Sequence, residues 1–256
     1  MVGITCRYQT YQFIPPRQAQ YVSGLIMIKP AHNDCSQTKG VGCVALIINF
    51  IDNRSNILVM KKDTKQKLIQ AGIEAMQEKS YHSVGIKEIL DSVGVPKGSF
   101  YYYFKSKEDF GIAVIDEFAR QHAATIRFFL EDRSKTPLER LKDSFVSCLS
   151  FYPEKECGSG CLVAKLNHEV MNHSPDMSAA IRNAFDMWQA LYARMIREAQ
   201  NAGEIDPGVD PEELAAFIQN SWEGAVMMMQ DHKNYGPVKN NIKFIFDRLL
   251  NRLSWN

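Results

Sequence analysis

The most regular pattern of apolar and polar positions lies in residues 84–107, which read VGIKEILDSVGVPKGSFYYYFKSK. The first half of this stretch predicts a short helix, because its apolar residues are spaced as on one helical face. These residues are Ile86, Ile89, Leu90 and Val93. Gly85 suits the N-cap of this helix, and Glu88 is placed to satisfy free backbone N–H groups in its first turn.

A tight turn and a second short helix follow. Gly94 lies where a residue in the left-handed conformation would end the first helix. Pro96 suits the first turn of the next helix, because its missing N–H is not needed there. We therefore predict a second helix from about Pro96 to Phe104. Two short helices joined by a tight turn form a helix-turn-helix motif.

The chain from Asp63 onward reads as helical throughout, with capping boxes at Asp63–Gln66 and Thr136–Glu139. The spacing of apolar residues and the helix start and stop signals predict the remaining helices. These run over residues 63 to about 80, 106 to about 130, 136 to about 151, 161 to about 171, 175 to 201, 210 to about 231, and 237 to about 253. The sequence thus predicts an all-α protein.

Residues 1–59 differ from the rest, because they hold three of the six cysteines, a Pro15-Pro16 pair, few charges and no sustained helical period. Their apolar run at 41–51 is too short to cross a bilayer core of about 30 Å, and it is not a signal peptide. We interpret 1–59 as upstream sequence read in frame or as a poorly ordered extension, with translation starting near Met60. The alternative is an accessory segment with a short strand near 43–51.

Composition and charge place few limits on function. The 256 residues are 45% hydrophobic and 23% charged, which is ordinary for a soluble globular protein. Residues 61–110 hold nine lysines against seven Asp and Glu residues, so a DNA-binding interpretation cannot rest on charge. The cysteines lack a regular CxxC pattern, which argues against a zinc finger or disulfide scaffold and predicts reduced thiols in the cytoplasm.

Several enzyme classes are excluded. The chain has no Gly-x-Ser-x-Gly elbow, and its Gly94-x-x-x-Gly98 stretch lacks the Lys-Ser or Lys-Thr of a phosphate-binding loop. His168 and His173 are five residues apart, which places them on different sides of a helix rather than on one zinc-binding face. We therefore expect no metal, no cofactor and no enzymatic activity.

The second helix of the motif carries the candidate DNA contacts. Phe100 and Phe104 are four residues apart and can pack on the first helix, whereas three adjacent tyrosines cannot all face inward. Lysine and tyrosine are donors suited to phosphate oxygens and base edges. The alternative is that this aromatic run is only core. The predicted DNA-binding residues are Lys97, Gly98, Ser99, Tyr101, Tyr102, Tyr103 and Lys107, and the glycine among them permits a close approach to the groove.

This region resembles the DNA-binding domain of the TetR family of transcriptional repressors over about residues 63–115. The matching motifs are Ser80-Tyr81, Ile86-x-x-Ile89, Val93-Gly94-Val95, Lys97-Gly98-Ser99-Phe100-Tyr101, Phe104 and Ser106-Lys107-Glu108. Gly85, Leu90 and Pro96 depart from residues that are common in the family. The VGIxEIL and VPKGSFY stretches resemble the NemR-like branch, whose members respond to reactive electrophiles.

The GSGCL segment at 158–162 is the candidate sensor. Ser159 can cap the helix that follows, which would put Cys161 in its first turn, where the helix dipole favours the thiolate. Lys165 would add positive charge on the same face. Residues 160–170 also resemble the matching segment of the electrophile-responsive branch, in which the sensing cysteine falls at Cys161. A small buried hydrophobic residue is the alternative interpretation.

Two further cysteines and the last helices complete the candidate regulatory half. Cys157 is a candidate resolving partner for the sensor, whereas Cys148 lies on an apolar face and reads as core. Apolar and aromatic residues of the last three long helices suit a ligand pocket, a dimer interface or ordinary core. The family resemblance assigns 210–253 mainly to the dimer contact.

The sequence therefore predicts an all-α protein with an N-terminal helix-turn-helix DNA-binding domain and a C-terminal ligand and dimerisation domain. We place an extension at 1–59, the DNA-binding domain at 60–120 with its motif at about 84–103, and the regulatory domain at 121–256. The resemblance implies a homodimeric repressor of double-stranded operator DNA that is not attached to a membrane and is released by a small electrophile or oxidant, or by a ligand, acting on the C-terminal domain. The alternatives are a non-covalent apolar inducer or a helical thiol-redox protein without a DNA role.

Overall fold

The computed structural model describes residues 53–149 and 160–250, and it describes side chains from Asp63 onward. These residues form nine α-helices and contain no strand, which confirms the all-α prediction. The predicted features at 1–52 and the loop that includes Cys157 and Ser159 lie outside the described residues. The helices are α1 (Asn53–Glu78), α2 (Ile86–Ser92), α3 (Phe100–Tyr103), α4 (Lys107–Glu131), α5 (Pro137–Cys148), α6 (Leu162–Val170), α7 (Pro175–Asn201), α8 (Pro211–His232) and α9 (Gly236–Phe244).

Four of the longer helices, α4, α5, α7 and α8, begin at a side-chain cap. The side chains of Ser106, Thr136, Ser174 and Asp210 each accept a hydrogen bond from the backbone N–H three residues later. Thr136 and Glu139 form the complete capping box that the sequence predicts. These caps satisfy backbone donors that would otherwise have no partner at the helix ends, and they fix where the long helices begin.

The prediction for the first helix is wrong at its start. Helix α1 begins at Asn53, so Asp63 lies inside the helix and does not cap it. The Asp63 carboxylate instead lies 2.6 Å from the ammonium of Lys67, one turn along the helix. Helix α1 therefore includes residues on both sides of Met60.

The turn between α2 and α3 has the predicted backbone geometry. Gly94 has φ +67°, the left-handed conformation that glycine adopts without steric cost. The N–H of Gly94 donates to the carbonyl of Asp91, and the N–H of Val95 donates to Leu90 at 3.0 Å. These two bonds are the Schellman pattern that closes a helix.

The second helix of the motif differs from the single predicted one. Pro96 is the N-cap, with ψ 143°, of a 3₁₀ turn over Lys97–Ser99, and α3 follows directly from Phe100. Such tighter turns are frequent at helix N-termini. The two predicted core aromatics, Phe100 and Phe104, are fully buried, and their rings lie within 5.5 Å of the Phe110 ring on α4. The motif is thus held on α4 by an aromatic cluster.

Helices α1 and α4 cross closely at Gly72. A Cβ placed there would lie 2.4 Å from the Phe110 ring and 2.7 Å from a Val114 methyl, so a larger residue would push the helices apart. This contact ties α1 to the same aromatic cluster that carries the motif. The helix-turn-helix, α1 and the start of α4 are therefore packed together as one unit.

The C-terminal helices pack around α7, which contacts α4, α5, α6 and α8. The Trp188 indole N–H of α7 donates to the Ala119 carbonyl of α4 at 3.0 Å, and Tyr192 stacks on Phe145 of α5 at 4.7 Å. After α9 the predicted long last helix continues as a π-helical turn over Ile245–Leu249. In the part of the chain that is described, no helix is long and apolar enough to cross a membrane.

The turn geometry predicts a difference between two neighbouring glycines. Gly94→Ala should lower the free energy of unfolding by about 1–2 kcal/mol, since alanine is strained at positive φ. Gly98→Ala is the matched control, because its φ is not positive and an added Cβ would meet nothing within 4 Å. Urea denaturation measures both, and equal stability of the two variants would contradict the assigned turn.

Candidate DNA interface and regulatory site

Four of the six predicted DNA-binding residues within the helix-turn-helix are exposed. Tyr101 and Tyr102 are 66% and 62% exposed, which confirms that the adjacent tyrosines do not all face the core. Lys97 and Gly98 are exposed as well, while Ser99 and Tyr103 are half-buried. An exposed lysine, an open glycine and two exposed phenol rings are suited to the donors and close approach that DNA recognition needs.

Lys107 is engaged within the protein. Its ammonium donates to the carbonyl of His82 at 3.2 Å and lies 4.8 Å from the centre of the Tyr81 ring. Burial lowers the pKa of Lys107, and the Glu169 carboxylate partly offsets that shift. A lysine ammonium has three donors, so the His82 contact leaves capacity for a phosphate.

Lys165 of α6 binds the end of α1 rather than the predicted cysteine. Its ammonium donates to the carbonyls of Gln77 at 2.9 Å and Lys79 at 3.0 Å. A cation at a helix C-terminus is favoured by the helix dipole and satisfies carbonyls that lack an intrahelical partner. The expectation that Lys165 adds charge beside Cys161 is therefore wrong, and the residue joins the C-terminal domain to the DNA-binding helices.

Glu169 completes this junction. It follows Lys165 by one turn of α6, and its carboxylate raises the pKa of Lys165 and of Lys107 against the larger, lowering effect of burial. Lys107 in turn holds the carbonyl of His82 in the segment that joins α1 to α2. Three charged side chains, those of Lys165, Glu169 and Lys107, therefore lie where α6 meets the DNA-binding helices.

Cys161 is the N-cap of α6, so the prediction that Ser159 caps this helix and that Cys161 lies in its first turn is wrong. The Cys161 side chain is hydrogen-bonded to the Glu223 carboxyl of α8. Burial and the Glu223 charge raise the pKa of the Cys161 thiol well above its usual value, although the N–H groups of Val163 and Ala164 act in the opposite direction. The predicted thiolate is therefore disfavoured, because desolvation outweighs the helix N-terminus.

Other ionisable groups surround the same carboxyl. Burial raises the pKa of Glu223 to about 7 and the pKa of Cys148 to about 12. Burial also raises the pKa of Tyr192, with smaller contributions from Cys148, Glu223 and Cys161. We call these four residues, from α5, α6, α7 and α8, the interior cluster.

Gln219 lies one turn before Glu223 on α8 and is only 2% exposed. Neither its amide nitrogen nor its amide oxygen has a hydrogen-bond partner among the described residues. We did not predict Gln219 or Glu223 from the sequence. The available signal was a pair of polar residues at i and i+4 within a stripe of apolar ones, and such pairs usually face solvent.

Helices α8 and α9 share an exposed apolar face. Phe217, Met228 and Phe244 are 52%, 38% and 63% exposed, which is unusual for large apolar side chains. An open groove runs along this face. Its lining includes Gly224, Ala225, Met228, Pro237, Asn241 and Phe244.

The fold and these surfaces define a helix-turn-helix DNA-binding protein with a helical regulatory domain. Residues 68–114 match the family model of bacterial regulatory proteins of the tetR family, and residues 137–245 match the tetracyclin repressor-like C-terminal domain. The chain therefore belongs to the TetR family of DNA-binding transcriptional regulators, which are not enzymes. The thiol-redox alternative without a DNA role is thereby excluded.

Individual relatives agree with this assignment. The chain is 39% identical over 162 residues to the transcriptional regulator AcuR of Cereibacter sphaeroides, covering 63% of this chain and 74% of AcuR. It is 32% identical to the transcriptional repressor DhaR of a Mycobacterium species, covering 73% and 92% of the two chains. The reduced form of Escherichia coli NemR superposes with a TM-score of 0.68 at 25% identity, over 72% and 96% of the two chains.

The raised pKa of Glu223 predicts a pH-dependent stability. Because the fold favours its neutral acid, this contribution is fully present below about pH 4.5 and is lost as the pH rises through about 7. Between pH 5 and pH 8 the parent should lose up to about 3 kcal/mol that Glu223→Gln retains. Glu213→Gln, at an exposed position of the same helix, is the control. Parallel pH profiles of unfolding for all three proteins would contradict the assignment.

Proposed function

We propose that residues 60–120 bind operator DNA, that residues 121–256 form the dimer and the sensor, and that the protein is a cytoplasmic repressor released by a small electrophile. The family binds operator DNA and acts as dimers. In this proposal the exposed Lys97 and the half-buried Ser99 lie near base edges in the major groove, and the exposed Tyr101 binds phosphate. Reaction at Cys161 then changes the spacing of the two DNA-binding heads.

One observation carries the proposed coupling: the ammonium of Lys165 on the carbonyls of Gln77 and Lys79. Cys161 and Lys165 are on one short helix, so a displacement at its N-cap reaches the C-terminal end of α1 within about one turn. A coupling free energy of only 1–3 kcal/mol would change operator affinity 5- to 150-fold. The proposed path from Cys161 to the DNA-binding helices therefore runs through α6 and the end of α1 alone.

The family resemblance supports Cys161 as the electrophile target, and the 25% identity to NemR supports the same branch. Cys157, the proposed resolving partner, lies outside the described residues. The raised pKa of the Cys161 thiol favours the second candidate, a repressor with a non-covalent inducer. The two candidates differ in whether the thiol is required for release.

The DNA interface predicts different effects for two lysines. Lys97→Ala should change the base preference of the protein, because an exposed lysine on the recognition helix can reach base edges. Lys107→Ala should weaken binding to all sequences and lower the salt slope by about one unit, as loss of one phosphate contact does. Band shifts on operator variants at several salt concentrations measure both. Lys239→Ala on α9 is the control, and full operator affinity in both head variants would refute this docking.

We expect the apolar face of α8 and α9 to form the dimer interface. The operator of such a dimer should be a near-palindrome with half-sites about 34–36 Å apart, or one turn more. Phe244→Glu should give a monomer, because burying a carboxylate in an apolar interface is costly. Light scattering at micromolar concentration without DNA measures the mass. Phe128→Glu is the matched control, since Phe128 is 61% exposed on α4. A monomeric parent would refute the proposed dimer, and a dimeric Phe244→Glu would place its interface elsewhere.

If Cys161 is the sensor, the Cys161→Ser protein should bind operator but should not release it on treatment with a maleimide or quinone. Cys148→Ser should release like the parent, because Cys148 is buried and its thiol donates to the Ser144 carbonyl at 3.4 Å. A band-shift titration with mass spectrometry of the modified cysteine tests this. Release that persists in Cys161→Ser would favour the non-covalent inducer.

A further inference from the structure

We propose that Glu223 is the acid–base partner of Cys161 and that Gln219 binds the carbonyl of the reagent, so that these three residues form an addition site for small α,β-unsaturated carbonyl compounds. This inference rests on the proposed electrophile sensing and names its chemistry. It assigns two residues of α8 that lie far from the cysteine in sequence.

The first support is the contact between the two reacting groups. The Cys161 side chain is hydrogen-bonded to the Glu223 carboxyl, which places an acceptor on the thiol proton. The second carboxylate oxygen of Glu223, Oε2, is buried and has no hydrogen-bond partner among the described residues. A carboxylate held on a thiol in this way can accept its proton during attack, which is general-base catalysis.

The second, independent support is Gln219. It precedes Glu223 by four residues on α8, so both side chains leave the same side of that helix. A buried amide without partners costs about 1–3 kcal/mol, and such groups in folded proteins call for an explanation. A ligand carbonyl that accepts from the Gln219 amide N–H would remove that cost. The same hydrogen bond would draw electron density from the conjugated double bond.

The step balances within the site. As the Cys161 sulfur forms a bond to the β-carbon, its proton passes to Glu223 and the π electrons of the double bond move to the α-carbon and carbonyl oxygen. Glu223 then returns the proton to the α-carbon. The product is a thioether with a saturated carbonyl, and no oxidant or reductant is consumed.

The surroundings explain why a base is needed. The titratable groups that face Glu223 within the described ranges are Cys161 of α6, Cys148 of α5 and Tyr192 of α7. None of them is cationic, so nothing in this set stabilises a free thiolate. The predicted lysine is directed to α1 instead.

The test measures the rate of methyl vinyl ketone addition to the full-length protein without DNA, by intact-mass spectrometry from pH 5 to pH 10. The parent rate should rise with pH and level off above about pH 7, when Glu223 is a carboxylate. Glu223→Gln should react on the order of 10²-fold more slowly at pH 7.5. Its rate should keep rising up to pH 10, because direct ionisation of the thiol is then the route that remains.

The direction of the Glu223→Gln effect separates two explanations. If Glu223 acted only through its charge, its removal would ease ionisation of the thiol and speed the reaction. A faster or unchanged rate in Glu223→Gln therefore overturns the proposal. The parent protein alone can also overturn the proposal. A rate that rises tenfold per pH unit up to pH 10 would show that direct ionisation of the thiol, and not proton transfer to Glu223, controls the reaction. Operator binding by each variant confirms that it is folded.

Gln219→Leu tests the proposed contact with the reagent's carbonyl, because it removes the amide group and keeps a side chain of similar volume. Its reaction with methyl vinyl ketone should slow about tenfold, whereas reaction with methyl methanethiosulfonate, which has no carbonyl, should stay within about twofold of the parent. Equal slowing with both reagents, or with neither, would overturn the assignment of Gln219. Because these rates are measured without DNA, a parent that adds the ketone as expected but keeps its operator would refute the proposed release and not this chemistry.

Discussion

The ammonium of Lys165 on the last carbonyls of α1 is the contact on which this account depends. It is favoured because it satisfies carbonyl groups that a helix end leaves without partners, at the negative end of the helix dipole. The same ammonium is partly desolvated, which lowers its pKa, and Glu169 offsets that cost. Through this contact a nine-residue helix connects the regulatory interior to the DNA-binding helices.

The interior cluster includes Cys161, which is the N-cap at the other end of α6. Burial keeps the Cys161 thiol protonated and raises the pKa of the nearby carboxyl to about 7. Burial is the largest cause of both pKa shifts, and the Glu223 charge adds to the shift of Cys161. A cysteine in such surroundings reacts when a base removes its proton during attack, and the nearest carboxylate to serve is that of Glu223.

Local sequence signals predicted the fold and the motif well. The capping box at Thr136, the left-handed Gly94 and the exposed tyrosines follow from rules that act within a few residues. The long-range partners could not be predicted this way. Lys165 meets Gln77 and Cys161 meets Glu223 only because the helices pack as they do, so local reasoning put the lysine beside the cysteine. The start of α1 was missed because Asp63 offers a good cap inside a longer helix.

Amide hydrogen exchange at the end of α1, residues 75–84, tests the central claim most directly. Addition of an electrophile to Cys161 in the absence of DNA should speed exchange there, because α6 moves and the Lys165 contact weakens. In Lys165→Met exchange should already be fast, and addition should change it little further. Slow exchange in residues 75–84 of the parent both before and after complete modification of Cys161 would contradict the account.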